Sequence, residues 1–145
     1  MIDAWTVIGG PNTRKSSSIR ALTGVRQIER KWNVAYIAHG DAATYVLPQG
    51  LQEIRVLPPD FIQRVNAAGV RYVIVALRYG RVGRHPDAAG YLAAFRAANW
   101  NIAGHVVLGA AALPGGFSIP NAPAMPSNEV AAQLRQVWGL SLIHI

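Results

Sequence analysis

The sequence predicts an α/β protein with a three-layer, mainly parallel sheet, and three observations predict it. Short apolar runs recur along the chain, the clearest being VRYVIVAL at residues 70–77. Amphipathic helical segments stand between most of these runs, and a glycine turn follows the first one. Strands that alternate with helices form parallel sheets with helices on both faces. Because no repeat or linker interrupts the pattern, we expect one domain over residues 1–139.

The composition is typical of a folded domain with anionic partners. The chain has 145 residues, of which 51% are hydrophobic and 14% charged, which argues against disorder. It has no cysteine, so disulfides and thiolate metal sites are excluded. The net charge of +7 favours nucleotides, nucleic acids or acidic lipids as partners.

The hydropathy pattern predicts a cytoplasmic protein without a membrane partner. The longest apolar runs are too short to span a bilayer, and the N-terminus lacks the basic and then apolar pattern of a signal peptide. The sequence gives no indication of the oligomeric state.

The first part of the chain carries two predicted strands around one helix. Residues 4–8 are apolar on both faces, as in a central parallel strand. A helix is expected to begin at one of the serines at 16–18 and to end near Gly24, because glycine is the usual C-cap. The charged segment 25–31 either continues this helix or forms a connector. Residues 32–38 (WNVAYIA) are expected as the second strand.

The middle of the chain is predicted to contain short strands and then a helix. Residues 43–47 and 53–57 are apolar segments separated by Pro48-Gln49-Gly50, which predicts a hairpin or a strand with an irregular excursion. Two prolines then introduce a helix over residues 60–68, whose apolar side chains share one face. Residues 70–77 follow as a buried strand.

The last part of the chain begins with residues 78–86 (RYGRVGRHP), here called the basic loop, which two glycines and a proline interrupt. A helix is expected over 87–100, with its first aspartate as the N-cap. Residues 101–108 are predicted as a strand, and the glycine- and proline-rich residues 109–126 as a long loop. A final amphipathic helix is expected from Ser127 to Gly139.

The last six residues, LSLIHI at 140–145, resemble a one-frame translation of the transposon adaptor used in preparing sequencing libraries. This resemblance predicts that the natural protein continues differently after about Gly139. The alternative is a genuine short apolar strand. We therefore use no residue of this segment, His144 included, in functional arguments.

The main functional motif is the turn after the first strand, residues 9–17, here called the glycine loop. It reads Gly-Gly-Pro-Asn-Thr-Arg-Lys-Ser-Ser. This stretch resembles the phosphate-binding loop of the P-loop NTPases, whose pattern G-x-x-x-x-G-K-[ST] fits Gly9 to Ser16 at every fixed position but one. Arg14 stands where the family has its second glycine. The resemblance implies a P-loop NTPase-like fold.

The resemblance also implies how a nucleotide would be held. Lys15 would reach the β- and γ-phosphates of ATP or GTP, and the Ser16 hydroxyl would ligate Mg²⁺. Arg14 would distort the loop if its position needs a positive φ, and would otherwise add a guanidinium to the phosphates. The alternative is an ordinary turn between strand and helix. The residues expected to contact the nucleotide are Gly9, Gly10, Pro11, Asn12, Thr13, Arg14, Lys15, Ser16 and Ser17.

P-loop enzymes normally carry an acidic residue at a strand end near this loop. The best candidate strand ends in Leu77-Arg78-Tyr79, which resembles the acid-Arg-Tyr ending found in some nucleoside and nucleotide kinases, without the acid. Asp41, after the second strand, is expected to substitute as a metal ligand; the alternative is an ordinary loop aspartate.

The basic loop supplies the other candidate catalytic residues. Arg78, Arg81 and Arg84 would close over phosphates, as the arginine-bearing lids of those kinases do, and would act together with Lys15. The alternative is three arginines in a solvated loop.

Taken together, these features predict a nucleotide-binding protein that uses ATP or GTP with Mg²⁺. If it is an enzyme, NTP hydrolysis or kinase-like phosphoryl transfer is expected. The alternative is a non-catalytic module that binds phosphate or nucleic acid, which Arg14 and the missing strand-end acid favour.

Overall fold

The computed structural model describes residues 2–24, 30–36, 40–139 and 142–144, with the backbone alone for 30–36, 40–43 and 142–144. The strands in these ranges are β1 (Asp3–Gly9), β2 (Arg30–Tyr36), β3 (Gly40–Gly50), β4 (Tyr72–Arg78), β5 (Asn101–Leu108), β6 (Phe117–Ile119) and β7 (Leu142–His144). The helices are α1 (Lys15–Thr23), α2 (Pro58–Ala67), α3 (Ala88–Ala97) and α4 (Ser127–Trp138), with a 3₁₀ turn at Ala122–Ala124. None of these helices combines the length and the apolar character that crossing a membrane requires.

The strands form one sheet in the order β6-β5-β1-β4-β3-β2-β7. The five strands from β6 to β3 are parallel to their neighbours, whereas β2 is antiparallel to both β3 and β7. The predicted α/β class and the mainly parallel sheet are therefore confirmed.

The helices cover the two faces of the sheet, which gives three layers. Along β1, Trp5 and Val7 pack in the cluster that contains the buried residues of α1 and α4, whereas Ala4 and Ile8 pack with those of α2 and α3. The chain passes from β1 to β3 in one direction across the sheet and returns through β4 to β5 in the other. Because such crossovers are right-handed, α1 lies on the opposite face from α2 and α3.

Local signals placed several boundaries correctly. Helix α1 begins at Lys15, one residue before the predicted serines, and ends against Gly24, whose φ of 73° is the left-handed C-cap conformation. Helix α3 has Asp87 as its N-cap, and the Asp87 carboxylate accepts from the Gly90 amide at 2.9 Å. The predicted strand at 101–108 coincides with β5.

The prediction of a strand segment at residues 53–57 is wrong. Strand β3 continues to Gly50, and its pairing with β4 shifts register between Leu47 and Gly50, around Pro48. Proline has no N–H for the ladder, so the sheet accommodates it with an irregularity instead of ending there. After Gly50 the chain forms a turn, closed by the Val56 amide donating to the Leu51 carbonyl at 2.9 Å.

Some predictions fall partly outside the described residues. These are residues 25–29 of the charged segment and the end of the second predicted strand at 37–38. The long loop predicted at 109–126 contains β6 and the 3₁₀ turn. Strand β7 pairs with β2, and the adaptor origin of residues 140–145 stays a prediction.

Candidate functional site

The glycine loop lies where the connections of the sheet diverge. Strand β1 lies between β4 and β5, and Gly9 pairs with Arg78 on one side and with Leu108 on the other. The chain leaves β1 through α1 on one face and leaves β4 through α3 on the opposite face. In open α/β sheets, ligands bind at the carboxyl ends of strands at such a point.

The loop is closed by contacts that require glycine at its first position. The Thr13 hydroxyl donates to the Gly10 carbonyl at 2.8 Å. A Cβ on Gly9 would overlap the Thr13 hydroxyl and would lie 3.3 Å from the Leu108 carbonyl oxygen. At Gly10, by contrast, a Cβ would meet no atom within 4 Å. Gly9 is therefore needed for close approach, whereas Gly10 has open space around it.

Arg14, which stands where the P-loop pattern has its second glycine, adopts a left-handed backbone conformation. Its φ of 74° and ψ of 11° lie in the left-handed region, and its side chain makes no capping hydrogen bond to α1. The Arg14 carbonyl accepts from the Ser18 amide at 2.8 Å and so starts the helix. A non-glycine residue in this conformation is strained by about 1–2 kcal/mol. Residue 14 therefore has a positive φ in this structure. This is the condition under which the sequence predicts that an arginine here distorts the glycine loop.

The first turn of α1 presents unpaired backbone donors. Within the described residues, no backbone carbonyl accepts from the amides of Lys15, Ser16 or Ser17. These residues line a cavity of about 240 Å³, here called the loop cavity, together with Asn12, Thr13, Arg14 and Glu53. The N-terminal end of a helix carries partial positive charge, so this cavity attracts anions.

Lys15 is buried and paired with Glu53. The residue is 5% exposed, and its Nζ lies 2.6 Å from Glu53 Oε1. Glu53 lies in the turn after β3, and its side chain is 37% exposed. A buried lysine amine is stabilised by such a carboxylate, because burial removes its water. The pair places one positive and one negative group on the wall of the loop cavity.

Glu53 is the residue of this site that sequence reasoning missed. The sequence predicts a strand segment at Glu53, and it offers acids only from the end of the strand at 70–77, which has none, and from Asp41 after the second predicted strand. The sequence did contain a signal that pointed to Glu53 as a candidate acid: it is one of only seven acidic residues in the chain, and it closely follows an apolar run.

Gly50 makes the contact between Lys15 and Glu53 possible. A Cβ at this position would lie 3.3 Å from Lys15 Cε and 2.5 Å from Glu53 Oε1. The lysine side chain therefore passes directly over the carboxyl end of β3, and a larger residue at position 50 would displace the Glu53 carboxylate.

Gln52 fixes the basic loop beside this turn. The side chain is 1% exposed, and its Nε2 donates to the carbonyls of Arg78 at 2.9 Å and Pro86 at 3.2 Å. Its Oε1 accepts from the Arg78 amide at 2.8 Å. One buried amide thus holds both ends of the basic loop against the end of β3.

The three candidate arginines are placed differently. Arg78 ends β4 beside Gly9, and it lines, with Arg84, a cavity of about 680 Å³, here called the arginine cavity. Glu53 lines both cavities. Arg81 is exposed and does not line the arginine cavity; its Nε donates to the Gly83 carbonyl at 3.2 Å. The structure therefore brings Arg78 and Arg84, but not Arg81, to a cavity next to Lys15.

The two candidate metal ligands are not brought together. Ser16 lines the loop cavity. Asp41 lies near the amino end of β3, whereas Gly50, beside Lys15, lies at its carboxyl end. Because Thr44 to Gly50 advances only as far as Tyr72 to Ala76, the separation at about 3.3 Å per residue is roughly 23 Å. The side chain of Asp41 is outside the described residues, but the direction of β3 carries its backbone away from Ser16.

The described part of the chain contains no group of three or more histidine, aspartate or glutamate side chains arranged to hold a metal ion. Comparison with known proteins gave no significant match to any family model, curated protein or solved structure. What the chain binds is therefore inferred from the chemistry of the two adjoining cavities.

Proposed function

We propose that the protein binds a nucleoside triphosphate, ATP or GTP, whose phosphates lie in the loop cavity. The observation that carries this proposal is the position of Lys15. It is a buried lysine in the first turn of a helix, directly after the central strand β1, on the wall of a cavity with free backbone amides. Donors and positive charge converge on one small space, as polyphosphate binding requires.

Each part of the cavity has a role in this proposal. The amides of Lys15, Ser16 and Ser17 donate to phosphate oxygens, and the N-terminal end of α1 favours their charge. The Lys15 amine acts as a point charge on the outer phosphates. To do so it exchanges the Glu53 carboxylate for a phosphate oxygen, so the nucleotide competes with an internal anion.

The residues present fit a magnesium ion that arrives with the nucleotide. Mg²⁺ commonly keeps several waters and takes one or two protein oxygens in addition to phosphate oxygens. Ser16 supplies a hydroxyl in the loop cavity, and Glu53 supplies a carboxylate once Lys15 has turned to the phosphates. When bound, the ion would neutralise charge on the phosphates. Glu53 replaces Asp41 as the proposed carboxylate because it already lies on the cavity wall.

If the protein is catalytic, the proposed reaction is hydrolysis or transfer of the terminal phosphoryl group. Lys15 follows β1 and Arg78 ends the neighbouring strand β4, and both would stabilise negative charge that develops during transfer. Arg84 would contribute from the arginine cavity. Arg81 would act only if the basic loop closed over the ligand.

A second candidate function is a non-catalytic module that binds phosphate groups or nucleic acid. Two observations favour it. Arg14 holds the strained position where glycine is expected, and β4 ends in Arg78 without an acidic residue. The net charge of +7 is compatible with either function.

The test is isothermal titration calorimetry with ATP and GTP, with and without Mg²⁺, on the wild type, Lys15→Ala and Lys31→Ala. Lys31 is the matched control, since it lies in β2, which β3 and β4 separate from β1. We expect saturable binding that Lys15→Ala weakens by about ten- to a hundredfold, because a hydrogen bond to a charged group contributes about 1.5–3 kcal/mol. Lys31→Ala should match the wild type.

Two results would contradict the proposal: no nucleotide binding by folded wild-type protein, or equal affinity in the wild type and Lys15→Ala. The second candidate function is tested by titrating a single-stranded oligonucleotide at increasing salt. A steep fall of its affinity with salt, without nucleotide binding, would favour the non-catalytic module.

A further inference from the structure

The arginine cavity is larger than the loop cavity, and most of the residues on its wall are polar or charged. Its volume of about 680 Å³ lies within the usual range for small-molecule sites. The ionisable residues on its wall are Glu53, Arg55, Asp60, Arg78, Arg84 and His85.

The charge of this wall is positive. Glu53 is neutralised by Lys15, whose amine lies 2.6 Å away. Three arginines then share the wall with one further acidic residue, Asp60. The structure gives none of the three an ion pair with a described residue. Asp60 offsets one of these three charges, so the arginines leave an excess of about two positive charges on the wall.

The arginines are held on a fixed framework. Gln52 binds the backbone of the basic loop at both of its ends, through Arg78 and Pro86. At the tip of the loop, Val82 and His85 exchange two backbone hydrogen bonds, at 3.2 and 2.9 Å, so that Arg84 lies inside a closed turn. A preformed arrangement of donors loses little conformational entropy when a ligand binds.

We propose that the arginine cavity is a second anion site, separate from the loop cavity, and that it takes the phosphate monoester of a small molecule. Guanidinium groups match phosphate oxygens in geometry and charge. A phosphate monoester carries a charge of about −1.5 to −2 at neutral pH, which suits the excess positive charge of the wall better than a single carboxylate does. Because Glu53 lines both cavities, an ester bound here lies next to the loop cavity.

The experiment is calorimetric titration with ribose 5-phosphate, with unphosphorylated ribose as the reference ligand. It compares the wild type, the double variant Arg78→Ala/Arg84→Ala, the single variant Arg84→Gln, Arg81→Ala and Lys15→Ala. Arg81→Ala is the matched control, since it removes the same charge from the same loop outside the cavity. The exposed Arg84 makes Arg84→Gln a variant that folds even if the double variant does not.

We expect the wild type to bind ribose 5-phosphate and not ribose. The double variant should lose at least about tenfold in affinity and Arg84→Gln several-fold, because each charge-assisted hydrogen bond contributes strongly. Arg81→Ala should bind as the wild type does, whereas Lys15→Ala should lose less than the double variant, because it leaves the Glu53 carboxylate unpaired on the wall but removes no arginine from it.

Three outcomes would overturn the assignment. The first is no saturable binding by folded wild-type protein. The second is an equal loss in Arg81→Ala and Arg84→Gln, since that result indicates only a general attraction of anions. The third is a loss in Lys15→Ala alone, which would put the ester in the loop cavity and leave the proposed nucleotide site intact.

Discussion

Replacing Arg14 with glycine should stabilise the protein. Arg14 has a φ of 74° and makes no capping hydrogen bond that the substitution would remove. The left-handed conformation costs a non-glycine residue about 1–2 kcal/mol. Glycine avoids this cost but loses about 0.5–1 kcal/mol more through its greater freedom in the unfolded chain. The net gain in the free energy of unfolding is therefore about 0.5–1 kcal/mol, which corresponds to a rise in Tm of about 3 °C or less.

Urea unfolding of the wild type, Arg14→Gly and Arg14→Ala measures this gain and separates backbone from side chain. Alanine removes the guanidinium but keeps the Cβ, so Arg14→Ala should stay within about 0.5 kcal/mol of the wild type. Asn12, with a φ of 61°, provides a second control. Asparagine tolerates this region, so Asn12→Gly should gain less than Arg14→Gly. If Arg14→Gly and Arg14→Ala are equally stable, the strain does not reside at residue 14 and the reasoning fails.

The remaining predictions concern the glycine loop, the ion pair and one histidine. Gly9→Ala should lower the free energy of unfolding by about 1–3 kcal/mol, whereas Gly10→Ala, with open space around it, should change it by less than about 0.5 kcal/mol; equal urea midpoints would show that the loop is not closed as described. Glu53→Gln should lower the free energy of unfolding by about 1–3 kcal/mol, because it leaves the buried Lys15 amine without its carboxylate, although Glu53 itself is partly exposed. In calorimetry without Mg²⁺ it should also raise nucleotide affinity, because the lysine loses its internal anion; weaker binding would contradict that competition. Burial, and then the charge of Arg96, lower the pKa of His105 below its usual value of 6.5. The folded state thus binds fewer protons than the unfolded state just below that value, and stability should fall as the pH drops below about 6.5. This fall, followed by urea unfolding, should be smaller in His105→Gln; identical pH dependence in both proteins would exclude His105 as its source.

Much of the fold could be predicted because it depends on local signals. Strand β5 was predicted at its observed bounds, since residues 101–108 are a largely apolar segment between the predicted helix at 87–100 and Gly109. The N-cap at Asp87 and the C-cap at Gly24 are set by hydrogen bonds and backbone conformations within a few residues. Each of these features is determined by residues that lie within a few positions of it in the sequence.

The extent of β3 could not be predicted in this way. Pro48 and Gly50 are turn-forming residues, and a reading of the local sequence ends the strand before them. In the structure, pairing with β4 continues past Pro48, with Gly50 opposite Ala76 after a register shift. The partner strand therefore outweighs the local preference, and only the order of strands in the sheet shows that it does.

The same dependence on strand order explains why the candidate site was only half predicted. Lys15 and Arg78 were predicted because each belongs to a local motif, the glycine loop after β1 and the Leu77-Arg78-Tyr79 ending of β4, and these strands are neighbours in the sheet. The carboxylate beside Lys15 comes instead from Glu53, in the turn after β3, which is not a neighbour of β1. Lys15 reaches it because Gly50 leaves the carboxyl end of β3 without a side chain. An acidic residue can thus stand at the loop cavity although β4 ends in arginine, and the absence of an acid from the end of β4 is weaker evidence against catalysis than the sequence alone suggests.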